Sequence, residues 1–111
     1  MPNPSQFQIR ISQLAFDHIA QIHTYISKVD YKPSVADNVL KAIEHCILHS
    51  IPKNPYKFPE CAARRTLARM YRQALVKNFK GVFSVRSEVI TIIGVVHASR
   101  SKSLIKKLHL K

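Results

Sequence analysis

The residues best placed to do chemistry lie near the end of the chain. His97 closes the apolar run Val89–Val96 and is followed by Ala98-Ser99-Arg100, where a backbone leaves a sheet and its side chains meet solvent. An imidazole acts as a general acid or base near neutral pH, and a guanidinium three residues on can stabilise a phosphate oxyanion. The plainer alternative is that His97 caps the core and Arg100 binds water or a carboxylate. Upstream, Arg64, Arg65, Arg69, Arg72, Lys77, Lys80 and Arg86 are interleaved with Tyr71, Phe79 and Phe83. Such a mixture in one groove would grip a phosphodiester chain and stack its bases, or equally an acidic peptide.

Other chemistries are poorly served. There is no glycine-rich phosphate loop, no HExxH and no GxSxG, which removes most enzyme classes. Six acids, none obviously paired, argue against a two-metal nuclease. His45 and His49 have the i, i+4 spacing of a chelate but no third ligand nearby in sequence, and read as the polar flank of a helix. Cys46 and Cys61 form no CxxC pair, as expected of a reduced protein. No metal and no cofactor is expected.

Charge narrows the partners. Eighteen Lys and Arg against six Asp and Glu give +12 over 111 residues, the balance of a protein that meets a polyanion or an acidic protein. Up to Ser50, Arg10, Lys28, Lys32 and Lys41 are matched by Asp17, Asp30, Asp37 and Glu44. From Ile51 onward only Glu60 and Glu88 oppose the basic residues, so the binding surface is expected in the C-terminal half. No apolar run approaches the roughly 20 residues of a membrane span, and Met1-Pro2-Asn3-Pro4 does not begin a secretory signal. A cytoplasmic protein without membrane contact is the expectation.

The elements that must hold these residues follow from periodicity. Phe7–Ile11 alternates as a half-buried strand, and Ser12 is an N-cap candidate. Ala15, Ile19, Ile22, Ile26 and Val29 then fall on one helical face. After Pro33-Ser34, a second stripe of Ala36, Leu40, Ile43 and Ile47, widened by Val35, Val39 and Cys46, predicts an antiparallel helical hairpin. Pro52, Pro55 and Pro59 mark Ile51–Glu60 as a surface loop. Tyr71–Lys77, Gly81–Arg86 and Glu88–His97 predict an antiparallel meander whose last strand is central and covered on both faces. Ser103–His109 predicts a short basic C-terminal helix. The order is β-α-α-β-β-β, an α+β fold in one domain spanning residues 1–111.

That order resembles the RelE/ParE superfamily, the toxins of type II toxin–antitoxin modules. The resemblance covers about residues 7–100. It is carried by the Ala15–Ile26 helix ending in Tyr25-Ile26, by Asn54-Pro55-Tyr56-Lys57-Phe58-Pro59-Glu60, by Tyr71-Arg72, and by Val95-Val96-His97-Ala98-Ser99-Arg100. It implies a helical hairpin on one face of a twisted antiparallel sheet whose other face is concave and basic. It also implies an acidic antitoxin that wraps the toxin, and one of two targets: the ribosome with its mRNA, cut without metal by RelE-like members, or DNA gyrase, inhibited by ParE-like members.

On the RelE-like route His97 is the acid or base, and Arg72, Lys77, Arg86 and Arg100 supply charge, of which Arg72, His97 and Arg100 match the superfamily pattern. Many nucleolytic members carry a tyrosine or a further histidine near the C-terminus. Here no tyrosine follows Tyr71 and only His109 remains. The resemblance therefore implies a ParE-like, non-nucleolytic toxin that inhibits growth through gyrase, with a ribosome-dependent mRNA endoribonuclease and an inactive or purely protein-binding member as alternatives.

Overall fold

The computed structural model describes residues 7–65 and 70–100, with the backbone alone at 62–65, 70 and 100. The expected C-terminal helix at Ser103–His109 lies outside the described residues. Strand β1 (Gln8–Ile11) leads into helix α1 (Gln13–Thr24). Ser12 caps this helix as its position predicts: its Oγ accepts the Ala15 N–H at 3.0 Å. The same hydroxyl donates to the Ile93 carbonyl at 2.8 Å, tying the helix start to the sheet.

Helix α1 ends in a π turn (Tyr25–Val29), and Tyr31 takes a left-handed φ of 55° in the link to α2 (Pro33–His45). Across the hairpin His23 Nε2 meets Asp37 Oδ1 at 2.8 Å. A second π turn (Cys46–Ser50) carries α2 into a final turn, Ile51–Lys53. The helix thus runs past Pro52, contrary to the expected break. The π turn shifts the Ile51 N–H onto the Cys46 carbonyl, and Ile51, Pro52 and Pro55 are buried rather than lying in a surface loop. A 3₁₀ turn (Pro55–Lys57) follows.

The sheet is completed by β2 (Glu60–Arg65), β3 (Met70–Val76), β4 (Phe79–Arg86) and β5 (Val89–His97), in the order β1-β5-β4-β3-β2. Two features differ from the expected meander. β2 is a fifth strand, recruited by pairing with β3 although its sequence, Glu-Cys-Ala-Ala-Arg-Arg, lacks the β-branched residues that announce a strand. β1 pairs parallel to β5, so the sheet is mixed; the helical hairpin carries the chain from β1 at one edge to β2 at the other. The hairpins β3–β4 and β4–β5 turn through two residues each, with Lys77 and Ser87 at φ 55°.

The helices cover one face of the sheet. Ala15, Val39, Ile43, Cys46, Ile47 and Ile51 pack there on Ala74, Phe83, Ile90, Ile92 and Val95. Val29 and Val35, placed on the buried stripes by periodicity, are exposed, because each sits at the far end of the hairpin beyond the sheet. A β-bulge opposite Val82 and Phe83 shifts the alternation of β5 after Ile93, so that Val95 and His97 face the helices and Ile93 and Val96 the other side. There Cys61, Tyr71, Val82, Ile93 and Val96 form a second buried cluster. Strand β5 is apolar on both faces because it serves both cores, as its sequence predicts. Cys46 and Cys61 belong to opposite faces, and neither is in a disulfide.

Candidate functional site

Strand register decides which cations share a surface, since directly paired residues point to the same face. Arg72 pairs with Phe83, and His97 pairs with Phe79. Phe83 and Phe79 belong to the helix-side core, so Arg72 and His97 both lie on that face. Lys80 pairs with Val96 and Arg86 with Val89, on the face opposite helices α1 and α2, where Arg10 also points from β1. Lys77 is exposed in the β3–β4 turn. Arg64 and Arg65 are in β2 and Arg100 is in the closing 3₁₀ turn Ala98–Arg100, placed by their backbone; Arg69 lies outside the described residues. The described cations therefore divide between two faces instead of lining one groove.

At the end of β5 the His97 ring stands edge-on to Phe79, centroids 5.3 Å apart. Its Nδ1 accepts the Ser99 N–H at 3.2 Å and lies 2.7 Å from the Ser99 Oγ. A backbone N–H can only donate, so Nδ1 holds a lone pair and the neutral ring carries its proton on Nε2. Nε2 of His97 is thus a hydrogen-bond donor, fit to bind an anion. The turn itself is held by the Ala98 N–H on the Asn78 carbonyl at 2.8 Å.

Arg72 is engaged elsewhere. Its guanidinium donates to the Phe58 carbonyl at 2.8 Å and the Tyr56 carbonyl at 3.4 Å, stacks 5.3 Å from the Tyr56 ring centre, and lies 3.9 Å from Glu60. From its rung to that of His97 is four residues, roughly 13 Å along the strands, and two strand spacings, roughly 10 Å, across. One phosphate cannot touch both. Arg72 is the clasp of the proline-rich segment, which Phe58 anchors by meeting Phe83 edge-on at 5.8 Å.

Two further groups were not among the expected site residues. Lys53, Tyr56 and Lys57 are exposed around the Arg72 clasp, and the sign of them was the run Lys-Asn-Pro-Tyr-Lys-Phe-Pro itself. His18, on α1, accepts the Val95 N–H on Nδ1 at 3.1 Å. Burial lowers its pKa below the ordinary 6.5, with the Asp17 carboxylate opposing. The exposed rings of His45, at the end of α2, and His49, in the following π turn, lie tilted with centroids 5.1 Å apart, and no group of three or more potential ligands is found among the described residues. Burial also raises the Cys46 pKa above 9.0 against the pull of Lys57, so that thiol is not an activated nucleophile.

No protein-family model matches the sequence, and no curated protein is significantly similar to it. Solved structures are similar in fold. A chain of the chromosomal ParDE toxin–antitoxin system from P. aeruginosa superposes with a TM-score of 0.66 at 13 % identity, covering 83 % of this chain and 96 % of that one. A chain of the toxin–antitoxin complex RelBE2 from Mycobacterium tuberculosis gives 0.55 at 13 % identity, covering 82 % and 96 %. One from the archaeal RelE–RelB complex of Pyrococcus horikoshii gives 0.51 at 11 %, covering 86 % and 98 %. The chain shares the α+β fold of these chains from ParDE and RelBE toxin–antitoxin structures, as its order of elements predicts. No helix among the described residues is long and apolar enough to cross a membrane.

Proposed function

We propose that this chain is the toxin of a type II toxin–antitoxin module, held inactive by an acidic antitoxin. The observation that carries the reading is the likeness to ParDE and RelBE chains over more than four-fifths of its length. The net charge of +12 supports an acidic partner, because complementary charge steers association.

Within that class the proposed action is ParE-like inhibition of DNA gyrase without nuclease chemistry. The separation of Arg72 from His97, and the use of Arg72 as a structural clasp, support binding over acid–base catalysis. The alternative, ribosome-dependent mRNA cleavage, is favoured by one observation: the exposed imidazole of His97 directly precedes the turn that bears Arg100. Growth arrest on expression, relieved by a small acidic protein encoded alongside, tests the toxin reading. The two chains should co-purify, with affinity falling as salt rises. A chain that neither arrests growth nor binds such a product is not a toxin.

A further inference from the structure

The clasp around Arg72 builds an exposed aromatic surface on the segment Asn54–Glu60. Tyr56 leaves 58 % of its surface exposed, yet it is rigidly mounted. Its 3₁₀ turn is closed by the Lys57 N–H on the Asn54 carbonyl at 3.3 Å and the Phe58 N–H on the Pro55 carbonyl at 3.4 Å. Buried Pro55 and the Phe58–Phe83 contact fix the turn on the core. Arg72 lies over the Tyr56 ring, 5.3 Å from its centre, and is itself held by two carbonyls. An exposed aromatic backed by a guanidinium, with the exposed Lys53 and Lys57 on the same segment and the Lys57 Nζ 5.2 Å from the Phe58 ring centre, is the arrangement on which an unpaired base stacks while lysines meet its phosphates.

We propose that Tyr56, seated on Arg72 and with Lys53 and Lys57 on the same segment, is a stacking platform for an unpaired base of single-stranded nucleic acid. Stacking on a mounted ring loses little conformational freedom, because Tyr56 is ordered before the ligand arrives. Any base presents a π face, so the platform is tolerant of sequence. Glu60, 3.9 Å from Arg72, neutralises part of the guanidinium charge, which leaves phosphate contact to the two lysines. The inference stands independently of the gyrase reading.

Fluorescence anisotropy of the purified chain with a labelled single-stranded oligothymidylate, over a range of salt, tests it. Tyr56→Ala should weaken binding about 5- to 100-fold at fixed salt, and leave the slope of log affinity against log salt unchanged, since no phosphate contact is lost. Tyr56→Trp should restore affinity. Lys53→Gln with Lys57→Gln should flatten that slope instead. Equal binding by the wild type and Tyr56→Ala overturns the proposal, as does a duplex of the same length bound as tightly as the single strand. Displacement of the oligonucleotide by a polyglutamate peptide whose own affinity falls equally in Tyr56→Ala would assign the platform to acidic protein instead.

Discussion

His18 and Val95 are joined by a hydrogen bond in which the imidazole Nδ1 accepts the strand N–H at 3.1 Å. β1 pairs with β5 only as far as Ile92. Beyond that rung helix α1 takes over the β1 edge: Ser12 satisfies the Ile92 and Ile93 carbonyls, and His18 the Val95 N–H. Two polar side chains on a helix thus stand in for the strand that stops short, next to the bulge at Ile93, where a buried backbone group left unpaired would cost about 1–3 kcal/mol.

This bond makes stability depend on pH. The folded pKa of His18 lies below its unfolded value of 6.5, so the unfolded chain binds the proton more readily and acid favours unfolding. The contribution is complete above pH 6.5 and is lost as pH falls from there through the folded pKa. Thermal unfolding across this range should show His18→Gln less stable than the wild type above pH 6.5, with the gap narrowing in acid. A gap that widens in acid contradicts the bond.

Core and surface positions on α2 should separate cleanly. Ile43 is 2 % exposed within the helix-side core, and Val35, on the same sequence stripe, is 44 % exposed. Ile43→Ala should cost about 2–5 kcal/mol in denaturant unfolding. Val35→Ala should stay within about 0.5 kcal/mol. Comparable losses at the two sites would show the helix rotated from the face described.

Gly81 should accept a methyl group. It lines a small apolar gap with Ile43, Cys46, Ala74 and Val95, and a Cβ there would meet no atom closer than the Ala74 carbonyl oxygen at 4.0 Å. Its φ is not positive, so Gly81→Ala should raise stability by about 0.4–1 kcal/mol. A loss would mean that the strand needs glycine for a reason outside this packing.

Arg72 should behave as a clasp. Arg72→Gln removes charge-assisted bonds to the Phe58 and Tyr56 carbonyls, and should cost about 1.5–3 kcal/mol and speed proteolysis within Asn54–Glu60. Unchanged stability with an unprotected cleavage pattern identical to the wild type would return Arg72 to the pool of free cations.

Much of the fold is legible in the sequence because it is built from period. The alternation of Phe7–Ile11, the cap at Ser12, the stripe through Ala36, Val39, Ile43 and Ile47, and the doubly apolar Val89–Val96 all reappear in the structure. β2 was not legible, since Ala62-Ala63-Arg64-Arg65 becomes a strand only through its partner. Nor was the helical path through Pro52, which depends on a π turn that no spacing rule marks. The place of His97 at a strand end was legible. The division of Arg72, Lys80 and Arg86 between two faces was not, because face depends on where strands begin, and the turn after Val76 is at Lys77-Asn78 rather than spread over Asn78–Gly81.

The most direct test of the central claim compares targets with purified wild-type chain and a folded His97→Ala variant, measuring DNA supercoiling by gyrase and the integrity of messages on translating ribosomes. Inhibition by surface binding needs no proton transfer, so the account predicts that both proteins block supercoiling to a similar extent while messages stay whole. Codon-phased cleavage of messages by the wild type, reduced about 10²–10⁴-fold in His97→Ala as loss of a general acid or base requires, with supercoiling untouched, would contradict it.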